Sequence, residues 1–358
     1  MGEKTILVTG GCGFIGTNLA ELALSAGYRV ANLDKLTYAG HLDPSLSPRR
    51  LSSYVFRQGD ICDIPLLNSL LENLEPSAIV HLAAETHVDR SIDGPEKFVH
   101  TNIVGTHALL SAALQYWRRL PREERETFRF LHVSTDEVFG SLGPEGLFRE
   151  STPYAPRSPY AASKASSDHL VRAYGHTYGL PVIVSNCSNN YGPFQHPEKL
   201  IPLVINRAIR GESLPVYGDG QNVRDWIYVE DHCKALLSLL HGGKPGETYL
   251  VGANNEKSNL DVILSACSIL DKLHPRADHR RYVEQLAFVE DRPGHDRRYA
   301  VDTSKITRES GWKPRVRFDE GLRMTVEWYL SNQRWVDEVL SGNYELERLG
   351  VLKPGVVS

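Results

Sequence analysis

No stretch of this 358-residue chain is apolar enough over the roughly 20 residues that a membrane span requires, so no membrane partner is expected. The opening TILV run is only a strand's length and passes straight into glycines, which is not the pattern of a secretory signal. Cysteine is sparse and scattered. Cys12, Cys62, Cys187, Cys233 and Cys267 are odd in number and form no CxxC, which argues against a disulfide framework and for a reducing, cytoplasmic setting. An excess of positive charge is lacking too. The formal net charge is -4, and the pairs Arg118, Arg119 and Arg297, Arg298 are too short to form a nucleic-acid surface. Histidine is plentiful at 14, yet no HExxH or compact His and Cys cluster occurs, so no metal site is expected. Repeats, low-complexity segments and flexible linkers are likewise missing.

What is present begins at the N-terminus. KTILVTG reads as a strand, GGCGFIG as a turn and FIGTNLAELALSAG as an amphipathic helix. Gly10, Gly13 and Gly16 have the spacing of a dinucleotide loop, in which the backbone approaches a pyrophosphate lying at a helix N-terminus. The next apolar run, YRVANLD, ends on Asp34. A carboxylate there suits the ribose 2'-hydroxyl and repels a 2'-phosphate, which favours NAD over NADP.

Further apolar runs, YVFRQGDI, SAIVHLAAE, FRFLHVS and LPVIVSN, alternate with helical segments. That alternation predicts an α/β fold with a doubly wound parallel sheet, whose functional groups sit beyond the carboxyl ends of the strands. From about residue 190 the chain becomes richer in Pro, Gly and aromatic residues. We therefore expect a dinucleotide-binding domain over 1–190 and a smaller lobe over 191–358, with about 224–240 returning to the main sheet. The length allows one large domain or two closely joined ones.

The most informative residues lie in FLHVSTDEVFG and SPYAASKAS. Tyr160 and Lys164 share one helix face, so the ammonium is expected to lower the phenol's pKa and make it a base for a hydroxyl proton. Alcohol oxidation needs one such base. Asp136 and Glu137, next to Thr135, are surplus to that step and point to a second acid-base event. Each string has a plainer reading alone: YxxxK as helical surface spacing, STDE as a strand end capping a helix.

The joint set of GGCGFIG, Asp34 in LDKLTYAG, HLAAETHVDRSI, VSTDEVFG, YAASK, SNNYGPFQHPEKLIP, VYGDGQNVRDWIYVEDH and DRPGHDRRYA closely resembles the dTDP-glucose 4,6-dehydratase family. This family belongs to the extended short-chain dehydrogenase/reductases, and the likeness spans roughly residues 4 to 330. It implies a Rossmann-type domain with NAD and a homodimer built through helices near 96–118 and 159–178. It also implies a sequence of steps on dTDP-glucose. Tyr160, helped by Lys164, takes the 4-hydroxyl proton as hydride leaves carbon 4, and Thr135 holds that oxygen. Glu137 removes the carbon-5 proton while Asp136 protonates the departing 6-hydroxyl, and hydride returns to carbon 6.

By the same resemblance, Phe14, Ile15, Lys35, Leu36, Thr37, Asp60, Ile61, Ala83, Ala84, Thr101 and Asn190 join the three glycines, Asp34, Tyr160 and Lys164 as cofactor positions. Thr86, His87, Arg90, Asn189, Glu198, Lys199, Leu200, Pro215, Tyr217, Arg224, Asn259, Asp291 and His295, with Thr135, match substrate positions. Arg224 is the best diphosphate anchor, because a guanidinium fork fits phosphate. Departures from the family pattern are Cys12, Phe139, Ala161 and Phe194. A UDP-glucose 4,6-dehydratase or a nucleotide-sugar 4-epimerase is the alternative activity, although an epimerase leaves Asp136 idle. A binding protein without turnover is the alternative of a different class.

Overall fold

Five consecutive buried side chains fill Thr5–Thr9, β1, as expected of a strand covered on both faces. In the computed structural model, which describes residues 4–41 and 52–341, β1 lies inside a parallel sheet. The next strands are β2 (Arg29–Asp34), β3 (Tyr54–Gln58), β4 (Ala78–His81), β5 (Arg129–Thr135) and β6 (Val182–Cys187). With Thr248–Val251 at one edge, seven strands among the described residues run in the order Thr248–Val251, β6, β5, β4, β1, β2, β3. Every pairing in this sheet is parallel. The chain reverses its winding between β1 and β4, so a crevice opens where their ends diverge.

Helices cover both faces. Phe14–Ser25 and Val229–Gly242 pack against one, with Leu19, Ala23, Leu236 and Ile183 in a common core. Ile64–Leu74, Thr106–Arg119 and Pro159–Tyr178 cover the other, around Leu67, Leu109, Phe130 and Val184. A third core, with Tyr191, Trp226, Ile263 and Tyr329, fills a smaller lobe built on Leu200–Ile209, Asn259–Leu273 and Phe318–Ser331.

The expectation that about 224–240 returns to the main sheet is corrected in part. Val223–Tyr228 pairs instead with Asn189–Tyr191 and Glu256–Ser258 in a small separate sheet. Trp226 and Tyr228 pack on Tyr191 in the third core, which directs the strand there, while Ile227 between them joins the first core. Only the helix that follows lies on the main sheet, and the strand that does join is Thr248–Val251. Among the described residues, no helix is long and apolar enough to cross a membrane, and all five cysteines are free thiols.

Buried histidines make the fold sensitive to acid. His132 and His232 are fully buried, and burial pulls their pKa values down to about 4 and about 3. The unfolded chain takes up these protons near the ordinary histidine value while the native state refuses them. Stability is therefore present above that value and is lost as pH falls towards the depressed one, by up to about 1.4 kcal/mol per pH unit for each histidine. The urea midpoint should fall on going from about pH 7 to about pH 5, and His232→Gln should flatten the fall. A midpoint constant over that interval would contradict the neutral buried state.

Candidate active site

Beyond the carboxyl ends of the strands lies a cavity of about 330 Å³. Gly10, Gly13, Phe14, Ile15 and Gly16 line it after β1, and Asp34, Lys35 and Thr37 after β2. Asp60 and Ile61 contribute after β3, Ala83, Ala84 and Thr86 after β4, and Thr135, Asp136 and Glu137 at the end of β5. Thr101, Tyr160, Lys164, Asn189, Asn190, Glu198 and Lys199 complete the expected residues found on this wall. Among the described residues, no group of three or more His, Cys, Asp or Glu side chains has the arrangement to hold a metal ion.

The glycine turn fits a pyrophosphate. A Cβ on Gly10, whose φ is +73°, would lie 2.6 Å from the Ala83 nitrogen, and one on Gly16 would lie 2.2 Å from the Gly10 oxygen. Both positions therefore require glycine to bring helix and strand together, and the helix Phe14–Ser25 starts with no side chain capping it. At the other end of the crevice, Asp34 accepts the Cys12 N–H at 2.9 Å and the Leu36 N–H at 2.8 Å. These bonds fix the carboxylate facing the cavity and oppose the rise in its pKa that burial causes. Leu36 thus holds Asp34 through its backbone. Lys35 is engaged by Asp60 at 2.6 Å, so its charge is largely offset and does not invite a 2'-phosphate. The residues present fit NAD.

Thr135 ends β5 and caps the turn Asp136–Phe139, accepting the Glu137 N–H at 3.2 Å and donating to Asp136 Oδ1 at 3.4 Å. The turn separates two adjacent carboxyls into unlike surroundings. Asp136 is 1% exposed, and burial first, then the charge of Glu137, raises its pKa well above the ordinary carboxylate value. Its Oδ2 finds no hydrogen-bond partner among the described residues. Glu137 is half-buried; burial raises its pKa too, but Arg292, Arg224 and Lys199 oppose the rise. The pair is thus biased towards one protonated and one ionised group, the division an acid and a base require.

Tyr160 is 7% exposed, and the Thr135 hydroxyl acts to lower its pKa. Its pKa runs opposite to the direction expected from Tyr and Lys spacing: burial, then Glu137, raises it well above the usual phenol value. Burial thus outweighs what the Lys164 ammonium, itself buried and directed to the Val133 carbonyl at 2.9 Å, can offer the phenolate.

Other expected residues lie outside the cavity wall. Arg224 is 4% exposed, beneath the Tyr299 ring at 4.1 Å, and its charge acts on Asp136 and Glu137. From the wall, Glu198 gathers two more of them, Arg90 at 3.0 Å and His87 at 3.8 Å, together with the Tyr38 hydroxyl at 3.1 Å. Leu200 opens the helix after Lys199, and Asn259 opens another, its N–H on the Asn222 carbonyl. Pro215 and Tyr217 lie on Leu214–Tyr217, which pairs with Leu286–Val289. Asp291 and His295 pair at 2.6 Å.

Sequence reasoning passed over Arg292, which reaches Asp89 at 2.9 Å and whose charge is the largest one opposing protonation of Glu137. Its place between Asp291 and His295 in DRPGH was the available signal. Asp168, one turn beyond Lys164, was missed as well.

Comparison with known proteins follows this geometry closely. The family model for GDP-mannose 4,6 dehydratase matches residues 7–325. The dTDP-glucose 4,6-dehydratase of Xanthomonas campestris pv. campestris strain B100 is 57% identical over 346 residues, covering 97% of this chain and 99% of the relative. The dTDP-glucose 4,6-dehydratase 1 of Escherichia coli K12 is 54% identical, over 95% and 96% of the two chains. Among solved structures, the Bacillus anthracis dTDP-glucose 4,6-dehydratase in complex with NAD superposes with a TM-score of 0.82 at 43% identity, covering 94% of this chain and 99% of that one. This chain belongs to the dTDP-glucose 4,6-dehydratase family.

Proposed function

We propose that this protein is an NAD-dependent hydro-lyase that converts dTDP-glucose to dTDP-4-keto-6-deoxyglucose and water. The observation that carries the reading is that one cavity brings Tyr160 and Lys164 together with two carboxyls whose surroundings differ, Asp136 enclosed and Glu137 under the charge of Arg292, Arg224 and Lys199. NAD, when bound, accepts hydride from carbon 4 and returns it to carbon 6. Tyr160 removes the 4-hydroxyl proton, and Thr135 orients that oxygen. The resulting 4-ketone acidifies the carbon-5 hydrogen, which Glu137 removes. Asp136 gives its proton to the 6-hydroxyl, which leaves as water, and Glu137 returns its proton to carbon 5. A 4-epimerase has no use for a second, buried acid beside Glu137, so Asp136 favours dehydration.

Gly10, Gly13, Phe14, Ile15 and Gly16 would hold the pyrophosphate, Asp34 to Thr37 the adenosine ribose, and Asp60 and Ile61 the adenine. Ala83, Ala84, Thr101 and Asn190 would line the remainder of the cofactor. Arg224 would anchor the sugar-nucleotide diphosphate, with Glu198, Lys199 and Asn189 towards the sugar. We also propose a cytoplasmic homodimer. Exposed Val99, Val104 and Tyr178 on the helical segments near 96–118 and 159–178 support the dimer, and free thiols support the location.

The test is to incubate purified protein with dTDP-glucose, without added NAD, and follow the alkali-induced absorbance of a 4-keto-6-deoxy sugar nucleotide. UDP-glucose and UDP-galactose run in parallel. Product from dTDP-glucose is expected. Product from UDP-glucose alone would overturn the choice of nucleotide, and interconversion of the UDP sugars would overturn dehydration.

A further inference from the structure

The helix face that carries Tyr160 and Lys164 continues, at the same spacing of four, to Asp168. Lys164 is 5% exposed and Asp168 is fully buried. A buried ammonium has lost its hydration and needs polar partners and an opposing charge. The Val133 carbonyl supplies a neutral partner at 2.9 Å, and the charge comes from Asp168.

Asp168 is held from three sides. Its Oδ2 accepts the Tyr154 hydroxyl at 2.7 Å and the Asn186 amide at 3.0 Å, and its Oδ1 lies 3.1 Å from His132 Nε2. The same Asn186 amide donates to the Thr135 carbonyl at 3.0 Å. One carboxylate thus touches the strand that presents Thr135 and shares a helix face with the active-site lysine.

We propose that Asp168 is a positioning residue for the oxidation step: its buried carboxylate keeps Lys164 an ammonium and, through Asn186, fixes the end of β5 that presents Thr135. The assignment rests on reading Tyr160 and Lys164 as the oxidation pair. The other titratable groups here are His132 on β5, His81 on β4 with its ring tilted and centred 5.2 Å from it, Cys187 on β6, Tyr154, and Tyr160 and Arg172 on the helix itself. Burial keeps both histidines neutral and the Cys187 and Tyr154 protons in place. Arg172 sits on the far side of Tyr154, donating to its hydroxyl at 2.6 Å. Asp168, held down to about 2 despite burial by its link to His132 and by Lys164, is the fixed negative charge of the cluster.

Asp168→Asn keeps the size and removes the charge. With 15N-lysine labelling and Lys164→Arg to assign the signal, the Lys164 Nζ resonance should titrate at least about one pH unit lower in Asp168→Asn than in the parent. The acid limb of the kcat profile should move to higher pH, because a neutral Lys164 no longer supports the Tyr160 anion. Tyr154→Phe removes a hydrogen bond but not the charge, and should leave both where they are. An unmoved Lys164 resonance, or a kcat lowered by one factor at every pH, overturns the proposal. If Asp168→Asn does not fold, the 13C carboxyl signal of Asp168 in the unsubstituted protein decides. It should remain ionised across the working range, and a protonated carboxyl there overturns the proposal. Both resonances are read without turnover, so a failed dehydratase assay is a separate result.

Discussion

Tyr160→Phe should lower turnover of dTDP-glucose by about three orders of magnitude, within the range by which a positioned base accelerates proton transfer. The substitution removes one oxygen. The ring keeps its edge contact with Phe98 at 6.3 Å, so the helix and cavity wall should survive. Sugar-nucleotide affinity should change little, since Arg224 and the Glu198 cluster are the groups proposed to hold the sugar nucleotide. Asp136→Asn makes the useful contrast. It should leave oxidation at carbon 4 largely intact and slow the loss of water, so that a 4-keto sugar retaining its 6-hydroxyl accumulates in a rapid-quench experiment. Equal loss of the same step in both variants would contradict the division of roles.

Gly16→Ala should yield a folded protein that no longer purifies with a dinucleotide. The added Cβ would stand 2.2 Å from the Gly10 oxygen and 2.6 Å from Gly11 Cα, and both are backbone atoms that move only if the turn opens. Strain of this kind typically costs about 1–3 kcal/mol, which as lost affinity is roughly fivefold to 150-fold. Gly94→Ala is the control, because nothing lies within 4 Å of its added Cβ. Bound nucleotide released by heat and measured by its absorbance separates the two. Retention of cofactor by Gly16→Ala would contradict the close helix-to-strand approach.

Much of this architecture was legible because its signals are local. A β-branched run, a glycine turn and an amphipathic helix follow one another within the first 25 residues, and Asp34 closes the next run. Asp136 and Glu137 are neighbours in sequence, so no fold is needed to see two carboxyls together. What was hidden depends on contacts between distant segments. Val223–Tyr228 has the composition of a main-sheet strand, and only its packing on Tyr191 and Phe318 shows why it leaves. Lys35 stands 25 positions before Asp60, and only the fold brings the two within 2.6 Å. Asp168 sits in SSDHL as an ordinary helix residue, and its importance comes from His132 and Asn186 on other strands. The direction of the Tyr160 shift was hidden for a similar reason. Spacing reveals that Lys164 is near, whereas burial and the charge of Glu137 are properties of the folded site.

The central claim is that one active site oxidises carbon 4, expels the 6-hydroxyl and completes the cycle without outside reductant. The most direct measurement uses dTDP-glucose carrying deuterium on carbon 4, mixed with unlabelled substrate and no added NAD, with the product examined by mass spectrometry and NMR. A 4-keto-6-deoxy product in which that deuterium sits on carbon 6 of the same molecule is expected. Deuterium lost to solvent, or found on carbon 4 of an epimerised sugar, would contradict it.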